Sequence, residues 1–283
     1  MGYSLDNSTS TTIVYSTAVS TQVAAGLGTH VLHVKSWGNQ GASCVTNVSI
    51  TVVVAAEASI PSAAILVSGI QKQTYYWRGT SDGGTGGSTS GTMSMVSSPT
   101  QSGYTRKFAF SFNDSGGERY WASFGADTGA HNFLYDVEVY LDSTSSDIAN
   151  IEMDMNQVIP NGQTMLYGFQ CDGYTETWDY TTNAGSPEDP IDEWRHTSIP
   201  CNPRTWTKNV WHHIQVAYSR DDDGNATYKC VVFDGVQKNI NETVPSAFAL
   251  GWGPTLLTNF QIDGLGGYGS ANVYVDHMNV YRW

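Results

Sequence analysis

The alternation of apolar and polar residues predicts β-strands along most of the chain. In the stretch ANIEMDMNQ, residues 149–157, three apolar side chains alternate with polar ones that include Glu152 and Asp154. A period of two residues predicts a strand with one apolar face and one polar face. Two carboxylates on one strand face repel each other, so this row indicates either a functional site or a solvated surface.

The same alternation recurs after residue 64, separated by turns rich in Gly and Asp, whereas helical periodicity is nearly absent. Short strands at regular spacing predict an all-β fold, a two-sheet jelly-roll sandwich. The Gly-rich stretch 79–88 and the long segment 172–204 are predicted as loops. The predicted strands are 106–112, 119–124, 133–141, 151–156, 165–170, 176–180, 211–218, 226–233, 260–265 and 271–283.

The first part of the chain has a different pattern. It predicts two strands, 29–36 and 46–54, joined by a polar turn at 38–41. This hairpin resembles the closing strands of a bacterial immunoglobulin-like domain, in which a G-x-H-x-L-x-V-x-x-W pattern leads into the penultimate strand. A complete domain of that kind needs about 100 residues, so the resemblance extends to only part of one.

We therefore expect a partial immunoglobulin-like domain at 1–56, a linker at 57–63 and a jelly-roll domain at 64–283. An incomplete sandwich leaves strand edges unpaired, which predicts association through the N-terminal strands. The alternative is that these residues form a short N-terminal hairpin of a single domain.

Composition narrows the range of partners. The chain has 283 residues, 13 basic against 26 acidic, and a formal net charge of −13. Nucleic acids and anionic membranes attract basic proteins, so we expect neither as a partner. The sequence contains no run of eighteen apolar residues, which predicts no membrane insertion. No apolar leader follows Met1, so we expect any export signal to lie upstream in the native protein.

The four cysteines are Cys44, Cys171, Cys201 and Cys230, and none belongs to a C-x-x-C pair. Cys171 and Cys201 lie in loop-like sequence, and we predict a disulfide between them, which is typical of secreted proteins. Cys230 lies within an apolar strand and is predicted to be a free buried thiol. For Cys44 both states stay open.

Two stretches resemble a known superfamily. The segment WHHIQVAYSRDDDGNATYKCVVFDG, residues 211–235, is similar to a hairpin of laminin-G and other concanavalin A-like lectin/glucanase jelly rolls. The final VYVDHMNVYRW resembles the strand with which many members end. The resemblance extends over about residues 100–283. It implies a secreted or surface-displayed bacterial protein whose concave sheet carries a glycan site.

Glucanases of this superfamily carry E-x-D-x-E or E-x-D-x-x-E on one strand of that sheet. By this resemblance Glu152 matches the nucleophile and Asp154 the assisting acid. Both possible third positions, Asn156 and Gln157, are amides, which cannot act as a general acid toward a leaving oxygen. Binding is therefore favoured over hydrolysis.

Three interpretations of the row stay open. It is a sugar-binding row, a solvated strand face, or a catalytic pair completed by an acid from another strand. The candidate acids are Asp172, Glu176 and Asp179.

Aromatic residues are abundant near this row, and aromatic faces beside carboxylates and amides are typical of an oligosaccharide groove. We expect Tyr167 and Phe169 in the core. His212 and His213 are adjacent on a strand, so they point to opposite faces and are expected to be structural. The expected ligand contacts are Asn156, Gln170, Glu176, Trp178, Tyr180, Trp194 and Arg195, with His196 beside them.

The sequence assigns no metal site. Calcium is possible, but the Asp221–Asn225 run is ordinary hairpin chemistry rather than an EF-hand loop. The expected function is a secreted or surface glycan-binding module that recognises a polysaccharide or oligosaccharide on the concave sheet. The first alternative is a polysaccharide hydrolase or lyase that uses Glu152 and Asp154. The second is a structural or adhesive surface protein without a glycan site.

Overall fold

The computed structural model describes residues 1–7, 9–19, 21, 23, 25, 28–52, 60–82 and 86–283. In these residues the regular structure consists of β-strands and two short 3-10 helices, Ile70–Lys72 and Pro203–Thr205. The chain divides into two compact units, Met1–Glu57 and Ala58–Trp283. No helix in the described part of the chain is long and apolar enough to cross a membrane.

In the first unit, the described strands form one antiparallel sheet in the order β2-β1-β3-β4. The predicted hairpin is present, because β3 pairs with β4 in register from Gly28 opposite Val52 to Trp37 opposite Ser43. Predicted strand residues 53–54 and linker residues 57–59 lie outside the described residues. The strands are β1 Gly2–Leu5, β2 Thr12–Ile13, β3 Gly28–Trp37 and β4 Ser43–Val52.

In the second unit, one of the two described sheets is antiparallel in the order β18-β17-β16-β10-β21-β8-β7, with β5 also paired to β21. We call it the back sheet. Its strands are β5 Ile65–Val67, β7 Ser88–Val96, β8 Thr105–Asn113, β10 Asn132–Leu141, β16 Trp211–Arg220, β17 Asn225–Phe233, β18 Val236–Pro245 and β21 Tyr268–Arg282.

The other sheet, the front sheet, has the order β15-β14-β13-β11-β20-β9-β6, with β12 paired to β11 and β19 paired to β12. Its strands are β6 Arg78–Asp82, β9 Gly117–Gly125, β11 Ile148–Val158, β12 Thr164–Tyr167, β13 Phe169–Asp172, β14 Thr177–Asn183, β15 Asp192–Pro200, β19 Ala247–Phe248 and β20 Leu256–Gly264.

The core lies between the two sheets. Phe108 of the back sheet stacks on Tyr120 and Phe260 of the front sheet, with ring centroids 4.3 Å and 5.4 Å apart. Met153 belongs to the same buried cluster, as do Tyr167 and Phe169. Since side chains alternate along a strand, Glu152, Asp154 and Asn156 of β11 face away from the core. Gln157 faces inward, where its side-chain oxygen accepts from the Tyr167 hydroxyl at 3.1 Å. The predicted β-sandwich is therefore confirmed.

Two predicted loops are wrong. Segment 172–204 contains β14, which matches the predicted strand 176–180, and β15, which was not predicted. The stretch 79–88 begins within β6. As the outermost strand of the front sheet, β15 has few buried side chains, so its sequence lacks the apolar alternation that marks an inner strand. Residues 83–85 of the Gly-rich stretch lie outside the described residues.

The predicted strand 165–170 is interrupted at Gly168. A Cβ there would lie 2.4 Å from the side chain of Thr181, so only glycine fits. The backbone N–H of Phe169, next along the chain, donates to the carboxylate of Asp154 at 3.1 Å. Asp154 therefore supports the backbone where the strand breaks.

Candidate functional site

A cleft lies on the face of the front sheet that points away from the core. It consists of two adjoining hollows of about 500 Å³ and about 460 Å³, and five lining residues are common to both. The shared residues are Arg119, Glu152, Asp154, Leu166 and Asp192.

The cleft floor follows from strand register. Seven residues pair consecutively across seven strands and so form one line over the sheet. Their alternation with core residues places all of them on the same face. The line runs Thr80, Arg119, Gln261, Glu152, Gln170, Asp179, His196.

Glu152 and Asp154 form a hydrogen-bonded carboxyl pair at the centre of the cleft. Burial raises the pKa of Glu152 well above its ordinary value, and the neighbouring Asp154 carboxylate raises it further. Burial also raises the pKa of Asp154, but hydrogen bonds from Glu152, Asn259 and the Phe169 N–H act in the opposite direction. Of the two groups, Glu152 is therefore the one whose protonated form is favoured more strongly by its surroundings.

Two further acids line the cleft with raised pKa values. Burial raises the pKa of Asp263 to about 7. Desolvation, together with the Asp154 carboxylate, raises the pKa of Asp192 to about 6. The opposing cation is Arg119, which donates to Asp82 at 2.9 Å and to Gln261 at 3.1 Å.

The 460 Å³ hollow has an apolar wall. Trp121, Leu250, Trp252 and Leu257 line it beside the polar floor, and both Leu250 and Trp252 are exposed. A flat apolar surface next to hydrogen-bonding groups is suited to a ligand with one apolar and one polar face.

Two amides in the same hollow have unsatisfied oxygens. Asn156 is 4% exposed and Asn259 is 6% exposed, yet neither side-chain oxygen has a hydrogen-bond partner. The Asn259 amide nitrogen, in contrast, donates to Glu152 at 3.2 Å and to Asp154 at 3.0 Å. Buried polar atoms are normally paired, so both oxygens are positions where a ligand donor is favoured.

One group in the described part of the chain brings three possible metal-ligand atoms within 4.8 Å of one another: Asp172, Asp179 and His196. Asp179 already accepts from Thr177 at 2.7 Å and contacts His196 Nδ1 at 2.8 Å. Calcium prefers six to eight oxygen ligands, so this donor set does not fit it. Asp221, in the predicted hairpin turn, accepts three bonds from its own turn.

The structure brings six of the expected residues together. Glu152 and Asp154 lie on the floor, Asn156 and Gln170 flank them, and Trp194 and His196 of β15 line the cleft as well. Of the other acids considered, Asp172 lines the cleft. Asp179 is fully buried beneath His196.

Four expected contacts lie elsewhere. Trp178 and Tyr180 alternate with Asp179 on β14, so they point into the core. There Trp178 stacks on Phe169, and Tyr180 packs against Tyr228 with tilted rings. Both are therefore core residues. Glu176 lies in a turn and lines a separate hollow of about 320 Å³. Arg195 lies on the other face of β15, where it pairs with Glu193 at 2.8 Å.

Several cleft residues were not predicted. The sequence signal was present in β9 and β20, where polar residues alternate with core residues as they do in β11. No comparable signal marks Asp192 or Trp252, which lie in an edge strand and an irregular segment. The missed residues are Asp82, Arg119, Trp121, Asp192, Trp252, Asn259, Gln261 and Asp263.

The predicted disulfide between Cys171 and Cys201 is present and joins β13 to the residue that follows β15. Cys230 is free and buried, and Cys44 is free and exposed. His212 and His213 point to opposite faces, bound to Asp234 and Asp136 at 2.7 Å and 2.6 Å.

No protein-family model and no curated protein matches the chain. Among solved structures, the chain is similar to carbohydrate-binding modules and lectin-like β-sandwich proteins. A carbohydrate-binding module of the β-sandwich superfamily shares 11% identity, with 98% of this chain and 82% of that chain covered and a TM-score of 0.39.

The family 11 carbohydrate-binding module from Clostridium thermocellum, in complex with a β-1,3-1,4-mixed-linked tetrasaccharide, shares 11% identity over 77% of this chain and 94% of that one, at a TM-score of 0.34. Arcelin-5, a lectin-like defence protein from Phaseolus vulgaris, shares 9% identity, with 74% of this chain and 99% of that chain covered and a TM-score of 0.40.

Proposed function

We propose that the protein is a glycan-binding module and that its ligand lies in the front-sheet cleft. The observation that carries this proposal is the pairing of a polar floor, centred on Glu152 and Asp154, with walls that include Trp121, Trp194 and Trp252. Sugar rings present hydroxyl edges and apolar faces, so they match both surfaces at once.

Two finer features belong to the same proposal. The disulfide supports an extracellular or cell-surface location, because disulfides persist in oxidising environments. The immunoglobulin-like resemblance of residues 1–56, and association through those strands, stay predictions. The open cleft argues against the alternative of a purely structural protein, whose groove would be filled by its own side chains.

The test is a glycan array at neutral pH, with and without calcium, followed by titration calorimetry on each hit. Removal of a cleft aromatic in Trp194→Ala should weaken binding about fivefold to tenfold, the usual contribution of one stacked ring. The matched control is Trp211→Ala, which changes a partly buried tryptophan on the outer face of the back sheet that packs against Tyr140. Equal affinities in both variants, or an array without hits, would refute the proposal.

A hydrolase or lyase is the second candidate. The observation that favours it is the buried Glu152–Asp154 pair, in which the pKa of Glu152 is raised well above its ordinary value, since general acid catalysis needs a carboxyl group that keeps its proton near neutral pH. Hydrolysis would release reducing ends and a lyase would form unsaturated ends, and in either case the product would disappear in Glu152→Gln. Binding without product in the wild type decides for the binding module.

A further inference from the structure

Three hydrogen-bond donors of the cleft, Gln261, Arg119 and Asn259, are bound to acceptors of the cleft itself. Gln261 donates through Nε2 to Asp82 at 2.9 Å and to Asp263 at 3.1 Å. Arg119 and Asn259 likewise donate to neighbouring acceptors. The side-chain oxygens of Asn156 and Asn259, in contrast, have no partner, so the cleft offers these two acceptors together with its carboxyl groups.

The charge of the lining is also one-sided. Among the described lining residues, Arg119 is the one Lys or Arg side chain, and it already contacts Asp82. The same lining contains six carboxyl groups. They belong to Asp82, Glu152, Asp154, Asp172, Asp192 and Asp263.

The acids are spread along the cleft rather than focused on one point. Asp172 takes part in the one described group that brings three ligand atoms within 4.8 Å, together with Asp179 and His196. Glu152, Asp154, Asp192 and Asp263 belong to no such group. Such an arrangement suits several positive charges carried at intervals on an extended ligand better than one metal ion.

We propose that the cleft selects a glycan with free, protonated amino groups, that is, a chain of de-N-acetylated amino sugars. This inference rests on the glycan-binding function proposed above. An ammonium group has three N–H donors and no acceptor, so it complements a surface of carboxylates and amide oxygens. The sugar rings then pack on Trp121 and Trp252, and the amino groups face the acids of the floor.

The carboxyl groups of the cleft also disfavour anionic glycans. Uronic acid and sulfated chains would place anions against carboxylates, with Arg119 as the nearest compensating cation. A neutral glucan would supply hydroxyl donors to the acceptors but would leave the acids without a counter-charge. The amino-sugar chain satisfies both requirements.

The experiment is titration calorimetry on the whole protein with four hexasaccharides at a pH where the amino groups are protonated, in physiological salt. The probes are oligomers of glucosamine, N-acetylglucosamine, β-1,4-linked glucose and galacturonic acid. We expect the glucosamine oligomer to bind at least about tenfold more tightly than the other three, a free-energy difference of about 1.4 kcal/mol.

Two charge-matched double variants separate the cleft from the general negative charge of the protein. Asp172→Asn with Asp192→Asn, which changes two acids of the cleft, should abolish the tenfold preference. Asp147→Asn with Asp223→Asn removes two exposed carboxylates outside the cleft and should leave it unchanged. An equal loss in both variants would overturn the inference.

The remaining outcomes distinguish the inference from the function on which it rests. Equal or tighter binding of the neutral or acetylated oligomers overturns the amino-sugar inference and leaves a glycan-binding cleft. Absence of binding to every oligomer, with calcium ions alone giving a signal, overturns both.

Discussion

Asp154 has structural contacts and also lines the cleft, so one polar residue can serve the backbone and the site together. Its carboxylate accepts the Phe169 N–H at the strand break and the Asn259 amide at 3.0 Å, which are structural contacts. It also lines the cleft beside Glu152. Substitution of Asp154 would therefore disturb backbone and site together, which makes Glu152 the better residue for testing function.

The buried carboxyl group of Asp263 predicts how the free energy of unfolding depends on pH. Its pKa rises from 3.8 to about 7 on folding because the carboxyl group is buried. The folded state then binds more protons than the unfolded state between about pH 4 and 7. By linkage, the free energy of unfolding falls as pH rises through that window, by up to about 1.4 kcal/mol per pH unit.

We predict that Asp263→Asn removes this loss, so the variant gains stability over the wild type as pH increases toward 7 and matches it near pH 4. Urea unfolding across this pH range measures the difference. Asp223→Asn, in an exposed hairpin turn, is the control and should follow the wild-type profile. A variant that is less stable than the wild type at pH 7 would show that Asp263 is needed in its ionised form.

At the scale of elements, the disulfide supports the cleft wall. Cys171 lies near the end of β13, and Cys201 directly follows β15. The disulfide therefore closes a loop that contains β14 and β15, with a sequence separation of 30. Closing a loop of this length is worth about 3–4 kcal/mol by the chain-entropy model.

We predict that Cys171→Ala with Cys201→Ala lowers the unfolding free energy by about 3 kcal/mol and weakens ligand binding, because Asp192 and Trp194 lie on β15. Thermal unfolding with and without reductant measures the first effect. The wild type should lose stability in reductant, whereas the double variant should not respond. Cys44→Ser, which changes an exposed thiol, should behave as the wild type does.

The burial of each strand explains which strands the sequence predicts. Inner strands such as β11 carry a strict apolar alternation, because one of their faces packs in the core, and their positions were predicted closely. The edge strand β15 lacks that pattern. Glu176 and Trp178 were assigned to the cleft because an aromatic and an acid were near in sequence, whereas strand alternation sends Trp178 to the core.

The cleft could be predicted in part for the same reason. A period of two residues gives the face of Glu152, but not which strands become neighbours of β11. The pairing of β11 with β20 is set by contacts over 100 residues apart, and it is this pairing that places Asn259 and Gln261 beside the acids. Local patterns contain no information about such partners.

On the scale of the whole molecule, the cleft belongs entirely to the second unit. Its lining and the buried core cluster beneath it run from Ile70 to Val280, within Ala58–Trp283. We therefore predict that a chain of residues 60–283 folds on its own and binds ligand with an affinity within about twofold of the full protein, less than 0.5 kcal/mol.

Circular dichroism and calorimetry on this shortened chain, compared with the full chain under the same conditions, measure the two properties. A tenfold weaker ligand affinity in a shortened chain that still unfolds cooperatively would show that residues 1–59 contribute to the site.

The line of paired residues from Thr80 to His196 crosses six gaps between neighbouring strands. At about 4.8 Å a gap, the floor measures about 29 Å from edge to edge. A single sugar ring spans only a small part of that distance, so most of the floor would stay in water around it. Screens that use monosaccharides would therefore miss a site whose affinity accumulates over successive rings of a chain.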